Sequence, residues 1–249
     1  MSGTSIVAIQ QAGATVRLQR YTLAGGLEAT LASQRAGSYE ATAGACVLNC
    51  VAASSPDGTS VIWSDDGRLQ LVGNAGGVTR DLPVTGAGTG AGCTPVRWWD
   101  SQTVLARCMA GVTQGLWLVP VSGAAPTPVS TPTSAASDFG VDTGAWQASG
   151  TIYVNQSAAS TCPQAAGTPS GTSVSKVAAG GSLSAITVPG TSSATVVSTA
   201  PGRLLILGRT ACPGTGALLW FSPGTGRAQL LQSAPAGQAG VVAVVPFGT

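Results

Sequence analysis

Apolar and polar positions alternate along this chain in short bursts, and Gly or Pro interrupts nearly every window of about 15 residues. Thr15-Val-Arg-Leu-Gln-Arg-Tyr-Thr22 shows the pattern well: Val16 and Leu18 alternate with Arg17 and Gln19, the period of two expected of a half-buried strand. Ser5–Gln10 and Leu27–Leu31 flank it as two further strands. A second unit is predicted from Cys50–Ser54, Thr59–Trp63, Arg68–Gly73 and Val78–Val84, with a turn at Pro56-Asp57-Gly58. In the third, Pro95–Trp99 and Gln102–Arg107 fold back at Asp100-Ser101, followed by Gln114–Val121 and Pro126–Ser130. That turn sets Trp99 against Gln102, Trp98 against Thr103 and Cys93 against Cys108. The fourth has Gly144–Gln147, Thr151–Asn155, Ser173–Ala178 and Ser182–Val188; the fifth has Thr195–Thr199, Arg203–Gly208, Ala217–Ser222 and Ala228–Leu231. No segment sustains the 3.6-residue period of a helix.

The first hairpin turn of each later unit, near Asp57, Asp100, Ser149 and Pro201, recurs at roughly 45–50 residues. Four strands at that period predict the blades of a β-propeller. The first unit holds three strands, and Gly240–Pro246 is a strand left over at the end. Together they predict a single domain over 1–249: a five-bladed propeller of four-stranded blades, closed by the C-terminal strand beside Ser5–Gln10. Closure removes an unpaired edge that would invite aggregation.

Ser55-Pro-Asp-Gly58, leading into Thr59-Ser-Val-Ile-Trp63, is similar to the repeat of TolB-like propellers, where this tetrapeptide joins the first two strands of a blade. Gly115-Leu-Trp-Leu-Val-Pro-Val-Ser-Gly123 resembles the third strand of that repeat and its following turn. The resemblance implies a protein-binding or scaffolding module outside the cytoplasm, with enzymes a minority.

Composition narrows the chemistry. Charged residues are only 8% of the chain and the apolar fraction is 44%, which favours a folded protein over a disordered one. The Ala-rich, Arg-over-Lys bias is that of a high-GC bacterial genome. A net charge of +2 and the lack of any Lys/Arg cluster argue against nucleic acid as a partner. No apolar run approaches the roughly 20 residues of a membrane span, and no signal peptide is visible, so an exported protein would have lost its targeting segment. With no histidine anywhere, Ser-His-Asp and Cys-His catalysis are excluded. No metal or cofactor is expected: Cys46 and Cys50 lack a second pair to complete a zinc site, and no phosphate-binding loop precedes a helix.

The six cysteines read instead as disulfides, hence an oxidising compartment. Besides Cys93–Cys108, the expected pairs are Cys46–Cys50, which requires residues 47–49 to curl, and Cys162–Cys212. The last two fall at equivalent places between the second and third strands of adjacent units.

Carboxylates are the remaining route to catalysis. Asp57, Asp65, Asp66 and Asp100 fall at turns, and Glu28 and Asp81 in outer strands. Glu40, Asp138 and Asp142 all lie in connections entering an innermost strand, either as an acid cluster over the central channel or as solvated loop residues. Of the six tryptophans, Trp63, Trp98, Trp117, Trp146 and Trp220 are expected to pack between blades, leaving Trp99 exposed. Asn155-Gln-Ser157 fits a glycosylation sequon. The leading expectation is a non-catalytic extracytoplasmic propeller that binds a protein or cell-envelope ligand through its loop-rich face. Trp99 and the ends of the long loop, Gln156, Ser157 and Thr172, are the candidate binding residues. The alternative is a carboxylate-dependent glycoside hydrolase or sugar-binding lectin of the five-bladed type.

Overall fold

The computed structural model describes residues 5–35, 51–65, 67–77, 79–84, 87, 92–110, 113–134, 141–157, 172–209 and 216–233. Among these the sheets account for the regular structure, five of them, each built along a path of consecutive antiparallel neighbours. The chain divides into two compact units, Met1–Pro128 and Val129–Thr249.

The first unit holds three sheets. β1 (Ser5–Ala12), β2 (Thr15–Thr22) and β3 (Leu27–Arg35) form the first, and β4 (Ala52–Ser54), β5 (Ser60–Asp65), β6 (Arg68–Gly73) and β7 (Thr79–Leu82) the second. In the third, β8 (Gly92–Trp98), β9 (Thr103–Ala110), β10 (Thr113–Pro120) and the two-residue β11 (Thr127–Pro128) run in order. Residues 126–130 were expected to form a full outer strand; Pro126 and Pro128 have no N–H to give a ladder, and only two residues pair.

β5 shows why the sequence stacks its sheets. Val61 and Trp63 point into a core shared with Val16, Leu18 and Leu31, whereas Ile62 enters one shared with Val104, Ala106 and Val119. Alternation on a sheet covered on both faces buries both registers, so Val61, Ile62, Trp63 and Ser64 are all sealed. Ser64 is tolerated there because its hydroxyl donates to the Cys93 carbonyl at 3.0 Å, and Cys93 N–H donates to Gly67 O. Gly67 permits that approach: a Cβ on it would stand 2.9 Å from the Cα of Gly92.

The Ser55–Gly58 turn is built as its sequence suggests. Asp57 Oδ1 accepts from Ser55 Oγ, Thr59 N–H and Thr59 Oγ1 at 2.6, 3.0 and 2.9 Å, and Gly58 takes φ +69°. Those hydrogen bonds, Ser55's first, hold the Asp57 carboxyl below its ordinary pKa. Gln19 corrects an expectation: it does not face solvent but is buried in β2, donating to Thr30 Oγ1 and accepting from Tyr21 OH, beside a bulge in the β2–β3 ladder.

The Cys93–Cys108 hairpin corrects its predicted register and keeps its predicted bond. Five residues, Trp99–Thr103, separate the last partners rather than two, so Trp98 pairs with Val104, not Thr103. A bulge at Val96 shifts the ladder back by one residue, returning Cys93 opposite Cys108. The disulfide is formed there, with Cα atoms 4.1 Å apart. Cys46, Cys50, Cys162 and Cys212 lie outside the described residues, as do Glu40, Asp138 and the closing strand Gly240–Pro246.

The second unit opens with the short β12 (Thr133–Ser134). β13 (Asp142–Ala148), β14 (Thr151–Ser157), β15 (Thr172–Val177) and β16 (Leu183–Ile186) follow as one sheet, and β17 (Ser193–Ala200), β18 (Arg203–Arg209), β19 (Gly216–Ser222) and β20 (Arg227–Ser233) as the other. Ser149 and Gly150 both take positive φ, the two-residue hairpin turn that matches strand twist. Val154's neighbours Tyr153 and Val174 pack with Val196, Leu204, Ile206, Leu219 and Phe221 in a core between these two sheets.

Candidate functional site

Gln156, Ser157, Thr172 and Asp142 are brought together at one end of the β13–β14–β15 sheet: Asp142 pairs with Gln156, and Ser157 with Thr172. The predicted loop Gln156–Thr172 is therefore shorter than expected, because β14 runs on to Ser157 and β15 starts at Thr172; residues 158–171 lie outside the described residues.

Both roots of that connection are fastened by hydroxyl side chains. Ser157 N–H donates to Val141 O at 2.8 Å, and Val141 N–H donates to Ser157 Oγ at 3.0 Å. On the other side Thr172 N–H donates to Ser193 Oγ at 2.8 Å, and that hydroxyl lies 3.3 Å from Thr172 O as its donor. Next to this root, Asn155 reaches from β14 to the bulge at Val197 in β17: its Nδ2 donates to Val196 O at 3.0 Å and its Oδ1 accepts from Val196 N–H at 2.9 Å. The amide thus stands in for a strand partner on the open side of β17, an edge of its sheet. Its sequon is closed, since Asn155 is only 2% exposed and both ends of its amide are bonded.

Asp142 is neither a solvated loop residue nor presented above the sheet. It begins β13, is 3% exposed, accepts from Ser130 Oγ at 2.6 Å on Oδ2 and from Gln156 Nε2 at 3.1 Å on Oδ1. Gln156 Oε1 in turn accepts from Ser175 Oγ at 2.8 Å. Burial raises the Asp142 pKa above its ordinary value, and the hydrogen bonds from Ser130 and Gln156 offset part of that. Sequence reasoning missed Ser130, Ser175 and Ser193; a serine among small polar residues carries no signal until its partner is known. Asn155 did carry one, as the polar residue closing the apolar run Ile152–Val154.

Trp99 belongs to the other unit, in the β8–β9 turn. It is half-buried rather than exposed, with the Arg97 guanidinium 5.0 Å from its ring centroid. Burial lowers the Arg97 pKa to about 10, so it stays charged at neutral pH. Trp63, Trp98 and Trp117 are buried core, Trp146 packs against the second unit's core and Trp220 is half-buried. Asp100 accepts from Gln102 N–H, Glu28 pairs with Arg20 at 2.9 Å and Asp81 accepts from Gln70. Among the described residues no three His, Cys, Asp or Glu side chains are gathered as metal ligands, and no helix is long and apolar enough to cross a membrane.

Consecutive antiparallel sheets packed face on face within each unit define the class: an all-β chain of propeller blades. Solved structures agree. The chain is similar to TolB from Acinetobacter baumannii, with a TM-score of 0.52 and 13% identity over 94% of this chain and 53% of that one. A putative TolB from Agrobacterium tumefaciens matches with a TM-score of 0.50 and 15% identity over 91% of this chain and 76% of that one. The β-propeller domain of the Trilobed protease from Pyrococcus furiosus matches with a TM-score of 0.51 and 9% identity over 92% and 71%. At such identities the likeness establishes the fold alone, a TolB-like β-propeller, and the chain spans about half the length of the Acinetobacter protein. No family model matches the sequence, and no curated protein does.

Proposed function

We propose that this chain is a non-catalytic propeller working outside the cytoplasm, and that it binds a protein or cell-envelope ligand through the end of its sheets where β14 passes to β15. The observation that carries this reading is the fastening of both roots of the connection, Ser157 to Val141 and Thr172 to Ser193, which fixes where residues 158–171 leave and rejoin the sheet. The Cys93–Cys108 disulfide supports an oxidising compartment, and the TolB-like fold supports a protein partner. Ring closure by Gly240–Pro246 beside β1 is part of the same proposal; the first sheet, with three strands among the described residues, has room for it.

The rival, a carboxylate-dependent glycoside hydrolase or lectin, needs a second carboxyl group within about 5–10 Å of Asp142 and a free carboxylate at that position. Asp142 is instead buried and committed to Ser130 and Gln156. Cross-linking of the protein to an envelope extract, followed by mass spectrometry, tests the proposal. Cross-links are expected to fall within residues 156–172, and replacing 158–171 by a short Gly-Ser linker is expected to abolish capture. Undiminished capture by that variant would refute the site.

A further inference from the structure

The Asp142 carboxyl is buried and, among the described residues, pairs with no cation. Its own strand carries no other charge, nor do residues 129–134 or β17. On β14 the sole titratable group is Tyr153, which pairs with Trp146 and Lys176 away from Asp142. The cations of this unit, Lys176 on β15, Arg203 and Arg209 on β18 and Arg227 on β20, are all exposed. Both hydrogen-bond partners of Asp142 are neutral. A lone ionised carboxylate in such a place is costly, and proteins relieve that cost by keeping the group protonated or by yielding locally.

We propose that Asp142 is a proton-controlled latch on the β14–β15 display site. Protonated, its Oδ2 shares a proton with Ser130 Oγ while Oδ1 still accepts from Gln156, and Ser175 secures Gln156 from the far side. Ionised, the same corner holds a charge with no cation to offset it. The strain falls on the next rung, Val141–Ser157, which is the root of the displayed connection, and the bulge at Thr143 leaves β13 fewer ladder bonds to resist it. The latch regulates the site proposed above and rests on that reading for its biological meaning, although its physical action is measurable without any ligand.

The sign follows from linkage: a carboxyl with a raised native pKa makes the folded state bind more protons, so protection falls as pH climbs from the ordinary value of 3.8 through the native one. Native-state hydrogen exchange on the whole chain, corrected for intrinsic rates, tests this between pH 4 and 8, beside the carbon-13 titration of the Asp142 carboxyl. The Val141 and Ser157 amides are expected to lose protection by about tenfold for each pH unit above 3.8, and to level off where the carboxyl resonance titrates. Asp142→Asn, which keeps an acceptor for Gln156 and a group to bond Ser130, should make their protection flat with pH. A carboxyl that titrates at its ordinary value, or an Asp142→Asn variant with the wild-type profile, overturns the latch. Should the variant not fold, the wild-type titration decides alone. Loss of ligand capture with the latch intact would instead refute only the binding reading.

Discussion

Asn155→Ala leaves the N–H and C=O of Val196 buried without partners, at a cost of about 1–3 kcal/mol for each group. Urea unfolding is expected to show that loss. Asn155→Asp should not rescue it, because a carboxylate accepts from the Val196 N–H but repels its carbonyl. The same two bonds predict that a glycosylating host adds no sugar at Asn155; a glycan on that peptide by mass spectrometry would contradict the clamp. Gly144 makes a second residue-scale case. A Cβ there would lie 2.7 Å from the Trp146 ring, so Gly144→Ala is expected to cost about 1–3 kcal/mol through displacement of the indole. The sequon was legible in the sequence and its closure was not, since Val196 lies 41 residues away and meets Asn155 only across two sheets.

At the scale of an element, the β8–β9 hairpin shows two displacements that cancel. The five residues between Trp98 and Val104 move the register by one and the Val96 bulge moves it back, so Cys93 still meets Cys108. Bulges sit in equivalent strands elsewhere, at Thr143 in β13 and Val197 in β17. A period of two in the sequence cannot reveal them, because the extra residue is selected by what the neighbouring sheet offers, such as the Asn155 amide at Val196. Removing the disulfide by Cys93→Ala with Cys108→Ala is expected to lower the unfolding free energy by up to about 3 kcal/mol for a loop of 15 residues. The hairpin holds the cysteines together locally, so the measured loss should fall below that ceiling; no loss at all would show that the bond stabilises nothing.

For the whole molecule, the proposed ring closure carries the largest consequence. Truncation before Gly240 is expected to yield aggregated material if that strand completes the first sheet, and a soluble, cooperatively unfolding truncation in size-exclusion chromatography and calorimetry would argue against closure. Non-reducing peptide mapping should link Cys46 to Cys50 and Cys162 to Cys212; the second link would fasten residues 158–171 between roots that Ser157 and Ser193 already hold. Any other pairing would remove that support for the display site.

By itself the sequence determined most of the described strands, their order within each sheet and the Cys93–Cys108 bond. Alternation, glycine turns and opposed cysteines are short-range facts, and short-range geometry settles them. Only the tertiary structure decided which polar residues lie inside. Gln19, Ser64, Asp142, Asn155 and Ser175 read as ordinary strand or loop polar groups, yet each is buried against a partner on another strand or segment. A polar side chain can be buried only where a donor or acceptor awaits it, and that partner is fixed by how strands and sheets stack rather than by the residues beside it in the chain.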